Sequence, residues 1–199
     1  MIYTCFDIES TSKYPTKADP IQFAAIQFDE SFSIIRSSNF FIKPARGIWS
    51  TEAESVHGIS KFFLAEHGVE PEVAAASIYA LFCSSNLVGY NSRSYDWEAI
   101  STWMQHLGCP IPPISTHADV MREWQHRLGK RQKLVDLTAN LNYPSSFVSA
   151  LTSRYFTDRD ETRPHDACYD VMATFLCWKD LQLTLRKEAR ERLRKAGLL

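Results

Sequence analysis

No apolar run in the 199-residue chain approaches the ~20 residues that cross a bilayer, and the N-terminus lacks the basic-then-apolar layout of a signal peptide. No membrane role is therefore expected. A surplus of either charge is also missing, since 22 Lys and Arg against 23 Asp and Glu leave a net charge of −1. Without a bulk positive field, any polyanionic partner must be met by local basic patches or by metal. The five cysteines (Cys5, Cys83, Cys109, Cys168, Cys177) are scattered, odd in number and form no C-x-x-C pair. They read as reduced, mostly buried thiols of a cytoplasmic protein. There is no internal repeat and no low-complexity segment.

What is present is an ordinary globular composition, 45% hydrophobic and 23% charged, long enough to bury one sizeable core. The β-branched and aromatic residues of Ile2–Ile8 predict a strand. The proline-bearing stretch 10–20 reads as a loop. Ile21–Phe28 and Ser33–Ile42 follow as strands, joined by a short connection that suits a hairpin. Helices are expected over Glu72–Cys83, Tyr95–Leu107, Ala118–Leu128 and Lys133–Leu141, with a long one over Asp166–Arg194. Short strands at Asn86–Tyr90 and Ile114–His117 fall between them. An antiparallel opening followed by strand–helix alternation argues an α/β fold, a mixed sheet with helices on its faces. The stretch 142–164 shows no clear period and reads as a long loop with some local structure.

Asp7 and Glu9 lie two apart in the first strand, so both carboxylates face the same way while Phe6 and Ile8 face a core. Like charges so placed repel unless a cation sits between them. The D-x-E spacing alone is weak, because roughly 2–3 such pairs arise by chance in a chain this acidic. Glu52/Glu54, Glu70/Glu72 and Asp158/Asp160 share the spacing and read as solvated surface. Only Asp7/Glu9 sits inside an apolar strand, where unpaired charge is costly. Further along, Asn91-x-x-x-Tyr95-Asp96 places an acid at a helix start after a short buried strand. His165-x-Ala167-x-x-Asp170 puts a histidine and an acid around another helix start. Asp166 is well placed to cap that helix, whereas Asp170 lies about one turn further in, where a carboxylate is held rigidly.

In this order the three motifs resemble those of the DEDD superfamily of 3′→5′ exonucleases, in its histidine-bearing (DEDDh) branch. The segments Pro20–Ile26, Gly89-Tyr90-Asn91, Asp119–Arg122, His165-Asp166-Ala167 and Val56–Ser60 are similar to the nuclease domain of the bacterial exodeoxyribonuclease I family. The likeness covers roughly residues 2–180. It implies a ribonuclease H-like fold with a five-stranded mixed sheet flanked by helices, the exonuclease domain spanning 1–180; the locally basic residues 181–199 read as a helical extension of the same domain. It further implies that Asp7, Glu9 and Asp170 touch metal directly, Asp96 through water, and that His165 is the general base. Two Mg²⁺ or Mn²⁺ ions, about 3.5–4 Å apart, suit such hard oxygen ligands and would stabilise the charge of phosphodiester hydrolysis. Neutral imidazole, with an ordinary pKa of ~6.5, can take a proton near neutrality.

Ser10, His57, Asn91 and Lys133 are the candidate substrate contacts. His57 also suits a structural or capping role, and Asp119 reads as a cap on the helix that follows it. Lys133 corresponds to a basic substrate-contacting position in the resemblance, which suits a phosphate contact. The segment 142–164 is longer than its counterpart in exodeoxyribonuclease I. The 3′ end of single-stranded DNA is the expected substrate, with 5′-mononucleotides as products. RNA ends or short oligoribonucleotides are the alternative, since nothing in the motifs reads a 2′-hydroxyl. A second alternative is a non-catalytic nucleic-acid-binding or polymerase-associated subunit on the same fold. The thin apolar stripe Leu181, Leu185, Ala189, Leu193 on the last helix leaves room for a protein partner or an oligomer there.

Overall fold

The computed structural model describes residues 1–83, 85–158 and 162–199. Five strands form one sheet: β1 (Ile2–Ser10), β2 (Pro20–Asp29), β3 (Ile34–Phe41), β4 (Asn86–Gly89) and β5 (His117–Asp119), in the order β3-β2-β1-β4-β5. The β1–β2 and β2–β3 pairs are antiparallel, while β1–β4 and β4–β5 are parallel. This is the mixed sheet expected from the order of apolar runs. The β2–β3 connection is tied by Asp29, whose Oδ1 accepts from the backbone N–H groups of Ser31 (2.9 Å) and Ser33 (3.0 Å). A bulge interrupts the β1–β2 register between Glu9 and Ser10, so the strand bends where its carboxylates end.

Eight helices surround the sheet among the described residues: α1 (Thr51–His57), α2 (Lys61–His67), α3 (Pro71–Phe82), α4 (Asp96–His106), α5 (Val120–Leu128), α6 (Leu134–Asn140), α7 (Ser145–Tyr155) and α8 (Ala167–Lys195). Strand alternation sorts the core in two. Phe6 and Ile8 pack with Phe82, Ile100 and Trp103 of α3 and α4 on one face. Cys5 packs on the opposite face with Val171, Met172 and Phe175 of α8, joined by Leu137 of α6 and Val148 of α7. Asp7 and Glu9 therefore share the face that α8 covers.

Local chemistry sets the helix ends. Ser50, Ser60, Asp119 and Asp166 each accept a backbone N–H as N-caps of α1, α2, α5 and α8. Gly58 and Gly129 close α1 and α5 in the left-handed region, at φ 75° and 72°. Gly89 is required for a different reason, because a Cβ there would lie 2.2 Å from Ser92 Oγ.

Three expectations need correction. Residues 145–155 form α7 rather than loop, starting directly after Pro144. Its apolar residues Val148, Leu151 and Tyr155 follow helical spacing and pack against the α8 face, but serines and threonines between them obscure the period. Residues 159–161 of that stretch, with Asp160 of the Asp158/Asp160 pair, lie outside the described residues. The fifth strand is His117–Asp119, not Ile114–His117, because the β4 register pairs Gly89 with Asp119 and α5 begins only at Val120. Finally, α1 and α2 are helices in a region for which no element was expected; each is a 7-residue helix, too short to show a period.

All five cysteines are free. No helix is long and apolar enough to cross a membrane among the described residues. The last turns of α8 are held to the body at two points. Arg186 donates to the Glu30 carbonyl at 3.0 Å with its guanidinium 5.1 Å from the Phe32 ring centre, and Arg127 of α5 pairs with Glu188.

Candidate active site

Asp7 and Glu9 project from the end of β1 toward the first turn of α8, where Asp170 meets them. One carboxylate oxygen from each of the three lies within 4.8 Å of the other two. Asp166 caps α8 through an Oδ1 bond from the Cys168 N–H at 2.9 Å, which leaves Asp170, one turn on, to face the strand. Gln22 of β2, directly opposite Glu9, holds this helix start. Its amide donates to Asp166 Oδ1 and its Oε1 accepts from the Ala167 N–H, both at 3.4 Å.

Asp96 approaches from the other side. It opens α4, is only 5% exposed, and its Oδ1 accepts from the Ile8 backbone N–H at 3.2 Å. It does not belong to the three-carboxylate group itself. It is nonetheless the nearest electrostatic neighbour in effect: after burial, the charge of Asp96 is what most raises the Asp7 pKa, followed by Asp170 and Glu9. Burial and then Asp170 raise Glu9. Burial pushes both Asp96 and Asp170 up to about 7, partly offset by the backbone N–H groups they accept. Among the described residues, none of these four acids has an ion-pair partner. Four mutually repelling carboxylates without an ion-pair partner form a site that a divalent ion would complete, and an all-oxygen donor set fits Mg²⁺ or Mn²⁺ rather than a soft metal.

His165 sits on the turn into α8 with φ 67°, a left-handed conformation that histidine adopts more readily than most side chains. Its backbone N–H donates to Asp170 Oδ2 at 3.3 Å and its side chain is exposed. The turn thus ties the histidine's backbone to the carboxylate group and leaves the imidazole free of the ligand cluster.

Beyond the end of β1 a cleft of about 310 Å³ is lined by Ile8, Ser10, Ser12, Lys13, Val56 and His57, with Glu9 at its edge. Ser10 borders it, but its hydroxyl is committed to the Tyr95 phenol at 2.5 Å; Tyr95 also donates to the Ser12 carbonyl. His57, the last residue of α1, accepts the Ile59 N–H on Nδ1 at 3.0 Å. Its Nε2 must therefore carry the proton when the ring is neutral, and that atom is buried near the Ser10 backbone without a well-formed hydrogen bond among the described residues. Burial lowers the His57 pKa, which favours the neutral ring.

The remaining two sequence candidates lie elsewhere. Asn91 builds the β4–α4 turn, at φ 59°, its N–H donating to Asp119 Oδ1 at 3.0 Å and its own Oδ1 accepting from Ser94 Oγ. Lys133 precedes α6 and is not brought to the carboxylate group; it lines a separate cleft beside Tyr90. Three residues were missed from sequence. Tyr95 was noted only as part of a motif, and Gln22 only as part of a family-like segment, although a glutamine amid apolar residues was a usable signal. The third is Asp19, fully buried, which pairs with Arg46 Nε at 2.6 Å and accepts from the N–H groups of Ala45 and Arg46. It fastens the loop after β1 to the segment leading into α1, and no pattern announced it.

A mixed five-stranded sheet with an acidic group at the ends of its central strand and flanking helix defines the ribonuclease H-like class of fold. Within that class, the chain belongs to the RNase T exonuclease family, whose sequence profile matches residues 4–176. It is 32% identical over 102 residues, 49% of this chain and 21% of the relative, to exodeoxyribonuclease I of Buchnera aphidicola. It is 24% identical over 173 residues, 85% of this chain and 11% of the relative, to the PolC-type DNA polymerase III of Ureaplasma parvum. A solved exonuclease I superposes with a TM-score of 0.71 at 23% identity, covering 88% of this chain and 39% of that one. The zinc-bound Escherichia coli ExoI–ssDNA complex gives 0.69 at 23% identity, over 98% of this chain and 43% of that one. The chain thus spans about a fifth or less of these two curated relatives and about two fifths of the solved structures.

Proposed function

We propose that the protein is a metal-dependent 3′→5′ exonuclease that removes 5′-mononucleotides from single-stranded DNA. The observation that carries this reading is the convergence of Asp7, Glu9 and Asp170 with no ion-pair partner among the described residues, in a chain of the exonuclease family. Single-stranded DNA is preferred because Escherichia coli exonuclease I, which shares the fold, has been solved with such oligonucleotides.

In this reading Asp7, Glu9 and Asp170 would hold two divalent cations of the Mg²⁺ or Mn²⁺ type, with Asp96 contributing through water. When bound, the cations would supply charge stabilisation at the scissile phosphate and ease ionisation of the attacking water. Asp96 also fixes the end of β1 by accepting the Ile8 N–H, so the two strand carboxylates are held at a set height. His165, outside the ligand group and tied to Asp170 through its backbone, takes the proton of the attacking water as general base. The cleft beyond β1 receives the terminal nucleoside, where the His57 Nε2–H donates to it. The Ser10–Tyr95–Ser12 bonds keep that wall rigid, and Lys13 at its rim offsets the Glu9 and Glu52 carboxylates that share the cleft.

The test is digestion of 5′-labelled single strands in Mg²⁺ or Mn²⁺, with matched DNA and RNA run in parallel. A ladder shortening from the 3′ end of DNA, abolished by EDTA and by Asp7→Asn, is expected. Digestion of RNA with DNA left whole would move the reading to an exoribonuclease. Intact strands of both kinds under either metal would refute it.

A further inference from the structure

The turn that leads into α8 carries a second basic side chain besides His165. Arg163, Pro164, His165 and Asp166 form a β-turn, closed by the Asp166 N–H donating to the Arg163 carbonyl at 3.1 Å. Proline at its second position and φ 67° at His165, its third, mark it as type II. Glycine is the ordinary residue at that third position, so the backbone is strained at the residue assigned as general base. The turn is pinned on both sides. Buried Thr162 accepts the Ser149 hydroxyl of α7 on its carbonyl at 2.8 Å, and the His165 N–H donates to Asp170. Pro164 fixes a torsion between Arg163 and His165, so what locates the imidazole also locates the root of the arginine side chain.

From this turn the Arg163 side chain crosses to α1. Its Nη2 lies 3.2 Å from the point that a Cβ on Gly58 would occupy, so the guanidinium rests against bare backbone at the end of α1. Gly58 directly follows His57, which lines the cleft beyond β1. Arg163 therefore spans the interval between that cleft and the turn that touches Asp170. The arginines that fasten the fold are committed to partners: Arg46 to Asp19, Arg127 to Glu188, and Arg186 to the Glu30 carbonyl. Arg163 differs from them. It is exposed, and no carboxylate lies within ion-pair distance of it among the described residues.

We infer that Arg163 contacts the scissile phosphate, donating from its guanidinium to the non-bridging oxygens of the group that leaves as the phosphate of the 5′-mononucleotide. The inference rests on the nuclease reading above, under which the terminal nucleoside lies in the cleft and its phosphate lies beside Asp7, Glu9 and Asp170. A phosphate joining those two places passes the interval that Arg163 spans. Paired guanidinium N–H donors match two phosphate oxygens in one plane, which an ammonium cannot do. The positive charge also opposes the repulsion that an anionic nucleotide meets on approaching four carboxylates. Pinning the turn keeps this donor and the His165 base at a fixed separation, so both meet the same phosphate.

The experiment is an NMR titration of thymidine 5′-monophosphate, and separately of thymidine, into the wild type, Arg163→Gln and Arg163→Lys in Mg²⁺. Arg163→Gln is expected to weaken the monophosphate by about tenfold or more and to leave thymidine within about twofold of wild type. Arg163→Lys, which keeps the charge and loses the fork, should recover only part of the loss. An unchanged monophosphate affinity in Arg163→Gln overturns the contact. So does an equal loss for monophosphate and thymidine, because the arginine would then only be holding the cleft in shape through Gly58. Thermal melts separate a folding defect from a binding one; should Arg163→Gln fail to fold, Arg163→Lys carries the same comparison. The nuclease reading fails separately, by absence of 3′-end digestion in the wild type whatever the titrations show.

Discussion

Replacing Asp170 by Asn should make the metal-free protein more stable while abolishing its activity. In the folded chain Asp170 is pushed from 3.8 up to about 7, first by burial and then by Asp166 and Asp96. A folded pKa above the unfolded one means that the folded state binds the proton more tightly, so stability is retained below pH ~4 and is lost as the pH rises through about 7. The full displacement corresponds to ~4 kcal/mol at ~1.36 kcal/mol per pH unit. Asp170 keeps some contact with solvent and shares its repulsion with three other acids, which reduces the expected gain to ~1–3 kcal/mol. Asn keeps an oxygen to accept the His165 N–H, so the turn into α8 is preserved. For a chain of this size that gain raises Tm by roughly 3–9 °C at pH 8 in EDTA and by almost nothing at pH 4. Adding Mn²⁺ at pH 8 should lift the wild type and leave the variant nearly unmoved. The assay is a thermal melt followed by circular dichroism at both pH values. A variant less stable than wild type at pH 8, or a difference independent of pH, would refute the reasoning.

Other perturbations test other parts. His165→Ala is expected to lower kcat by ~10²–10⁴ while leaving Mn²⁺ affinity intact by calorimetry, because the imidazole is a base and not a ligand. Asp19→Ala removes the carboxylate shared by Arg46 Nε and the N–H groups of Ala45 and Arg46, leaving the guanidinium only the Thr16 and Ala18 carbonyls, and should cost ~1–3 kcal/mol in urea unfolding. Gly89→Ala drives a methyl into Ser92 and should cost ~1–3 kcal/mol, with Ser92→Gly recovering much of it in the double variant. His57→Phe removes both the Nε2 donor and the Nδ1 acceptor of the Ile59 N–H; KM for a short strand should rise several-fold, with stability lowered by ~1–3 kcal/mol in thermal melts.

How much was legible in sequence follows from how local each determinant is. The apolar alternation around Asp7 and Glu9 located both the strand and the shared direction of the carboxylates, since period 2 is fixed by backbone geometry alone. Asp170 was preferred to Asp166 mainly on the His-x-Ala-x-x-Asp pattern, with capping and helical rise, which are equally local, pointing the same way. What failed was less local. The helix α7 hides its period behind serines and threonines, and α1 and α2 are too short to have one. The neutral donor state of His57 depends on a hydrogen bond to the Ile59 N–H, and the closure of the Ser10 wall on Tyr95, 85 residues away. Asp19 and Arg46, 27 residues apart, carry no periodic signal at all. Such partners are selected by the tertiary fold, and only the assembled sheet brings them together.

The central claim is that Asp7, Glu9 and Asp170 form a divalent-cation centre for phosphodiester hydrolysis. Its most direct test is anomalous diffraction from crystals soaked in Mn²⁺ with a nucleoside 5′-monophosphate. The account predicts two manganese peaks ligated by these three carboxylates, with the phosphate against them and the nucleoside in the cleft beside His57. Nucleotide bound elsewhere, or manganese absent from this group while the carboxylates keep their present arrangement, would contradict it.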